Sequence, residues 1–303
     1  MQDCDNGGGG KAEYLAKHNL QTKERPSAAA YDSRKPLYQA VSASLLTGNR
    51  AKVAYLHCIK LGTNIDPACG SGNFLTETYL SLRRMENEVL ELLSRGQIGL
   101  EGVGLTKPIM VSISQFHGIE INDFAVTVAK TALWIAESQM IKETEDIIHM
   151  SLDFLPLKTN ANITEGNALR VDWESVVPKY ELNYIMGNPP FVGARWMKDT
   201  QKDDLNNIFA GWKNAGNLDY VSCWYKKAVD LMQGNTIRTA LVSTNSITQG
   251  EAVANLWKTL FETGVHIDFA HRTFRWIAKL KLRRMFIALL LVLVLHRTKH
   301  QNC

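Results

Sequence analysis

The feature that most constrains the fold is an abrupt change of texture between residues 62 and 92. Thr63-Asn64-Ile65-Asp66 reads as a short strand, and Pro67-Ala68-Cys69-Gly70-Ser71-Gly72 breaks it. A long helical pattern follows, with Phe74, Leu75, Thr78, Leu82, Met85, Val89 and Leu92 at three- and four-residue spacings. The alternation continues down the chain. A second strand is predicted over 114–120 and a helix from 123 to about 137, apolar at Phe124, Val128, Leu133 and Ile135. Further strands are expected at 162–165, 183–186, 239–243 and 266–270, with helices at 218–232 and 250–261. Strands alternating with helices predict an α/β domain whose mainly parallel sheet is covered on both faces.

Charge looks informative and proves local. Lys and Arg total 34 against 30 Asp and Glu, a net of +4 over 303 residues. Six of those cations (Lys279, Lys281, Arg283, Arg284, Arg297 and Lys299) lie after Trp276, where no acid occurs, so the first 276 residues carry a net of −2. The basic excess belongs to the tail, not to the body that would meet a polyanion. Five scattered cysteines without a CxxC pair argue against a disulfide framework and a zinc site. The eight histidines (His18, His57, His117, His149, His266, His271, His296 and His300) show no metal-ligand spacing. The apolar run 285–295 is too short to cross a bilayer as a helix, and no secretory signal opens the chain. A reduced, cytoplasmic protein without a membrane partner is expected.

Four short segments carry the chemistry. The turn at 66–72 would stand at the carboxyl end of a strand, where open α/β sheets bind ligands. Gly70 and Gly72 let a cofactor lie against the backbone and let the chain take positive φ. Asp66 is placed to orient loop amides or to accept from a cofactor amine. The spacing fits neither G-x-G-x-x-G nor a phosphate loop. In HGIEIND, Glu120 closes the second strand, where a carboxylate can accept both hydroxyl protons of a ribose; Asn122 and Asp123 could equally serve as helix caps. In TEGNALR, Asn167 follows another strand end, where an amide can read an adenine edge.

The fourth segment, Asn188-Pro189-Pro190-Phe191, follows the apolar NYIMG. An exocyclic amine is a poor nucleophile because its lone pair is delocalised into the ring. The Asn188 side-chain oxygen and the Pro189 carbonyl could each accept one amino hydrogen, turning the nitrogen toward a tetrahedral shape. Phe191 offers a face for an extruded base. Trp134, Trp224 and Trp257 fall in helical patterns and are expected in the core.

DPACGSGNF, GIEIND, EGNAL and NPPF, in that order, resemble the gamma-type adenine-N6-specific DNA methyltransferases, in particular the large single-chain restriction–modification enzymes. DFAVTVAKTALWIAESQM, NYIMGNPPFVG, RTALVSTNSITQGE and HIDFAHRTFRW are similar to the same group over about residues 61–276. The resemblance implies a Rossmann-like class I S-adenosylmethionine-dependent sheet. It implies a cofactor site made by Asp66, Pro67, Ala68, Gly70, Gly72, Asn73, Phe74, Glu120, Ile121, Asn167 and Ala168, and a catalytic set of Asn188, Pro189, Pro190 and Phe191. Many relatives carry Asp where Asn167 stands. Related glutamine methyltransferases use Asn-Pro-Pro with Tyr in fourth place, so a protein or RNA amine remains an alternative substrate, and a cofactor-binding remnant without turnover a further one.

Departures from the group set the remaining expectations. Residues 1–60 form a poorly defined N-terminal extension, 61–276 the catalytic domain and 277–303 an aberrant tail. Relatives continue after HIDFAHRTFRW with a stretch like DSEA…AHVHCVIIGFS, and back-translation of IAKLKLRRMFIALLLVLV allows DSEAKAKAHVHCVIIGFS in another frame. A frameshifted, truncated gene is therefore expected, with the sheet's last strands lost or replaced. Double-stranded DNA would be bound weakly, because sequence reading rests on a recognition domain absent from this chain.

Overall fold

The computed structural model describes residues 62–95, 109–152, 161–276 and 286–295. Its centre is one seven-stranded sheet: β1 (Thr63–Asp66), β2 (Phe116–Glu120), β3 (Asn162–Glu165), β4 (Leu182–Gly187), β5 (Arg238–Thr244), β6 (Val265–Trp276) and β7 (Phe286–Leu295). The spatial order is β3-β2-β1-β4-β5-β7-β6. β1 through β5 pair in parallel, whereas β7 lies antiparallel to both β5 and β6. Strand order reverses between β1 and β4, and the carboxyl ends of these two neighbours open the crevice that such sheets use for ligands.

The sheet continues beyond β5 into the segment expected to be an aberrant tail. The apolar segment Phe286–Leu295 inserts as β7, with Leu291 opposite Leu241 on one side and Ala270 on the other. Strand β6 runs well past 270 because β7 supplies a partner as far as Trp276.

The helices are α1 (Asn73–Arg95), α2 (Asp123–Ile148), α3 (Asp199–Ile208), α4 (Ser222–Met232) and α5 (Lys258–Glu262). On α1 the buried stripe is Leu75, Tyr79, Arg83, Glu86, Val89 and Leu90, displaced from the one read off the sequence. Helix α2 buries Val126, Ala129, Leu133, Ala136, Met140, Thr144 and Ile148, while Phe124 and Ile135 face outward. It runs eleven residues past the expected end at 137, because Met140, Thr144 and Ile148 keep the four-residue spacing that packs on α1. It stops at His149 in the left-handed conformation.

Arg83 and Glu86 are fully buried between α1 and α2, where they pair. Glu86 Oε1 also accepts the Met110 amide at 2.6 Å, and Arg83 Nη2 donates to Thr144 Oγ1 at 2.6 Å. The expected strand start at 114 is instead a 3₁₀ turn, Ile113–Gln115, closed by a capping box from Ser112. Over 250–261 the helical pattern is realised as a π-helical turn (Val253–Trp257) followed by α5. Trp224 and Trp257 sit in the core as expected, and Trp134 is half-buried.

Candidate active site

Three strand ends converge on the crevice. At the first, β1 delivers Asp66 to the bottom of the turn that leads into α1. Asp66 Oδ1 accepts the Ala68 amide at 3.0 Å, closing the loop on itself. Gly70 and Gly72 take φ of +54° and +79°, the left-handed region the sequence pointed to. A Cβ on Gly72 would press on Ala129 of α2 at 3.0 Å, so that glycine is needed for helix approach. A Cβ on Gly70 would meet no atom within 4 Å and would project into open space above the loop. The loop is fixed from below by Trp224, whose indole donates to the Pro67 carbonyl at 3.0 Å.

At the second, Glu120 ties the neighbouring loops together. Its Oε2 accepts the Gly70 amide at 2.9 Å and its Oε1 the Asn122 amide at 2.9 Å. A carboxylate offers about four lone-pair sites, so the two oxygens retain acceptor capacity for a diol. Ile121, the next residue, is 68% exposed. Such exposure of a large apolar side chain beside a glycine loop leaves a flat surface on which an aromatic ring can rest. The Gly166 amide donates to the Glu120 carbonyl at 2.8 Å, which brings the loop after β3 alongside. There Asn167 Oδ1 accepts the Leu169 amide at 2.9 Å, while its Nδ2 donates to Asp204 Oδ2 at 2.9 Å.

At the third, β4 ends in Gly187 and hands over to Asn188. Gly187 lies so close to Asp66 that a Cβ there would fall 2.4 Å from Asp66 Oδ1. The glycine loop and the Asn-Pro-Pro-Phe loop are thereby in contact through one carboxylate. Burial pushes the Asp66 carboxyl up to about 7; the Ala68 amide opposes the rise and the nearby Glu120 charge adds to it. Asn188 Oδ1 is buried and has no hydrogen-bond partner among the described residues. Pro189 is buried and Phe191 half-buried against the main core. The next residue, Val192, is clamped: its amide donates to Asp219 Oδ1 at 3.3 Å and its carbonyl accepts the Tyr220 amide at 2.9 Å. A cavity of about 340 Å³ opens beside this loop, walled by Arg195, Trp196, Asp219, Ser246 and Gln249.

Every residue singled out for the cofactor or for catalysis lies at the end of β1, β2 or β4, on the loop after β3 that is drawn alongside β2, or on the first turn of α1. Several supporting residues were not singled out: Asp204, Asp219, Tyr220 and Lys227. Lys227 Nζ reaches the Ala168 carbonyl at 2.7 Å and the Val171 carbonyl, pinning the loop that carries Asn167. They act from α3, from α4 and from the turn that precedes α4, across sequence gaps, and no local pattern marks them. No group of three or more His, Cys, Asp or Glu suited to a metal occurs among the described residues, and none of their helices is long and apolar enough to cross a membrane.

A family profile described as "MmeI, DNA-methyltransferase domain" matches residues 46–301, which includes the segment that forms β7. The chain belongs to this family of DNA-methyltransferase domains. It is 45% identical over 214 residues to DNA methyltransferase A of Bacillus subtilis (strain 168), covering 70% of this chain and 24% of that one. The solved structure of the Type IIL restriction–modification enzyme MmeI in complex with DNA superposes with a TM-score of 0.78 at 38% identity, covering 88% of this chain and 36% of that one. A fainter likeness, TM-score 0.48 at 13% identity over 78% of this chain and 16% of the other, reaches the ATP-dependent Type ISP enzyme LlaBIII bound to DNA. The fold is the mainly parallel α/β sheet expected, and it is shared with MmeI. The chain spans about a quarter of the B. subtilis relative and about a third of MmeI.

Proposed function

We propose that this domain transfers a methyl group from S-adenosylmethionine to N6 of an adenine extruded from double-stranded DNA. The observation that carries the reading is Asn188 Oδ1, a buried acceptor at the carboxyl end of β4 left without a partner among the described residues. An unpaired buried acceptor costs about 1–3 kcal/mol, a cost that a substrate amine arriving there removes. The cofactor fits the neighbouring loops: Gly70 leaves space above the backbone, Glu120 keeps lone pairs for two ribose hydroxyls, and Ile121 offers a surface for the adenine ring. Asn167 Oδ1, holding one backbone amide, has a second lone pair for the amino group of that ring. Asp66, Pro67, Ala68, Asn73, Phe74 and Ala168 complete the walls.

S-adenosylmethionine supplies an electrophilic methyl group when bound. The chain's own part is to present the amine. Asn188 Oδ1 and the Pro189 carbonyl accept its two hydrogens, which draws the nitrogen lone pair out of conjugation and aims it along one direction. Phe191 stacks on the extruded base and excludes water from one face. Once methylated, the nitrogen is cationic and acidic, so its surplus proton passes to water without a side-chain base. DNA is the proposed substrate because the family is one of DNA methyltransferases and Phe, not Tyr, follows Asn188-Pro189-Pro190.

The test is incubation with methyl-labelled cofactor and unmethylated duplex DNA, RNA or a protein extract, followed by digestion to nucleosides. Label is expected in N6-methyladenine, and Asn188→Ala should abolish it while cofactor binding by calorimetry survives. Label confined to protein or RNA, or retained in Asn188→Ala, overturns the assignment.

A further inference from the structure

Asp204 is a buried carboxylate, 3% exposed, on a helix that contributes no loop to the crevice. Three donors from two segments meet on it. Asn167 Nδ2 and the Tyr220 hydroxyl reach Oδ2 at 2.9 and 2.8 Å, and Arg170 Nε reaches Oδ1 at 2.7 Å. Burial alone would raise its carboxyl, but these bonds outweigh burial and hold it below its ordinary value. An ionised carboxylate only accepts, so the Asn167 atom facing it must be the NH₂ group. On the other side the Leu169 amide only donates, so the atom facing it must be the amide oxygen. The two neighbours agree, and the side chain of Asn167 has one orientation.

We propose that Asp204 is a positioning residue that locks Asn167 with its oxygen toward the cofactor pocket, so that the pocket accepts a 6-amino purine and rejects a 6-oxo one. The inference rests on the cofactor reading given above. An Asn side chain free to turn over presents either an acceptor or a donor at nearly equal cost, and would serve both purines. With the Leu169 amide on its oxygen and Asp204 on its NH₂ group, turning over would set donor against donor and acceptor against acceptor, so Asn167 presents only the acceptor. A 6-oxo purine would then bring its carbonyl oxygen against the Asn167 oxygen, with no hydrogen between them. A site built for one hydrogen-bond polarity discriminates strongly because the wrong partner leaves buried groups unpaired.

The experiment is calorimetric titration of the full chain with S-adenosylhomocysteine and with its deaminated counterpart, S-inosylhomocysteine; it reads binding, not turnover. The unaltered chain is expected to prefer the adenosyl ligand by about tenfold or more, the worth of one hydrogen bond. In Asp204→Asn the Arg170 guanidinium, which only donates, keeps the new amide's oxygen, so its NH₂ group faces the Asn167 NH₂; this donor clash opposes the Leu169 bond, and the preference should fall to within about twofold. The pair Asn167→Asp with Asp204→Asn exchanges the roles: the new carboxylate at 167 accepts from the new amide at 204 and from Leu169, and the preference should return.

Preference unchanged in Asp204→Asn overturns the inference. So does its loss without recovery in the exchanged pair, which would mean general loosening. If Asp204→Asn melts before titration, the exchanged pair alone decides: preference retained supports the lock, preference lost refutes it. No binding of either ligand by the unaltered chain would instead refute the cofactor reading, and equal binding of both would refute the role of Asn167.

Discussion

Asp66 makes a stability prediction that needs no substrate. Its carboxyl is fully buried beneath the glycine loop, and its titration is raised from 3.8 to about 7 chiefly by that burial. A group raised in the folded state holds its proton there and loses it in the unfolded chain. Its contribution favours the native state fully below the unfolded value and is withdrawn as pH climbs through the folded one. For a shift of this size the withdrawal between pH 5 and pH 8 is about 3 kcal/mol, out of a total of about 4. Asp66→Asn keeps an oxygen for the Ala68 amide and cannot ionise. Urea unfolding of both proteins at pH 5, 6, 7 and 8 therefore has a defined outcome. The difference in unfolding free energy should move by about 3 kcal/mol in favour of the variant as pH rises, most steeply between pH 5 and 7. All other groups cancel in that difference. A difference that stays flat within about 0.5 kcal/mol would mean that Asp66 is already ionised at pH 5, and the account of its burial would be wrong.

Gly70→Ala places a methyl group in the open space above the loop at φ +54°; it should cost only about 1–2 kcal/mol in urea unfolding yet weaken S-adenosylhomocysteine binding by about tenfold or more, and unchanged binding would remove the loop from the cofactor site. Glu86→Ala leaves the fully buried Arg83 without its counter-ion and the Met110 amide without its acceptor. It should destabilise the domain by about 3–5 kcal/mol in the same assay. Because the first 276 residues are net −2, non-specific duplex binding by fluorescence anisotropy should sit at or weaker than about 10⁻⁶ M at physiological salt. Nanomolar, sequence-selective binding by this chain would show that recognition is built into this domain.

The sheet's parallel part was legible because short strands stop at turn-forming residues, Pro67 after β1, Gly166 after β3 and Gly187-Asn188 at the end of β4, and the bounds of β1 and β3 match the expectation residue for residue. What escaped was governed by partners distant in sequence. The apolar stripe on α1 shifted because Arg83 and Glu86 are buried as a pair, and charged residues do not register in a hydrophobic pattern. The exposed Phe124 looked like a core residue for the converse reason. Segment Phe286–Leu295 is an unbroken apolar run of strand length, the pattern of a strand covered on both faces. Its basic flank drew attention to charge, and the run was set aside as tail. Helix α3 buries only Asp204 and Leu205, too few to mark it by an apolar pattern.

The site's geometry gives a reason why glycine, not alanine, ends β4. Gly187 and Asp66 stand at the ends of adjacent strands on either side of the point where strand order reverses. A methyl group at 187 would sit 2.4 Å from a carboxylate oxygen that is itself bonded to the Ala68 amide. Relief would require β1 and β4 to part or the glycine loop to rise, and either movement changes the separation between Gly70 and Asn188. A second tie reaches the Asn-Pro-Pro-Phe loop from the loop after β3. Asp204 joins Asn167 to Tyr220, and the Tyr220 amide holds Val192 beside Phe191. A reaction that brings a methyl donor and an amine together within a few tenths of an ångström depends on the distance between their two cradles. Under the proposed function that distance is set through the side chains of two buried aspartates, Asp66 and Asp204, and neither needs to touch a reacting atom to matter.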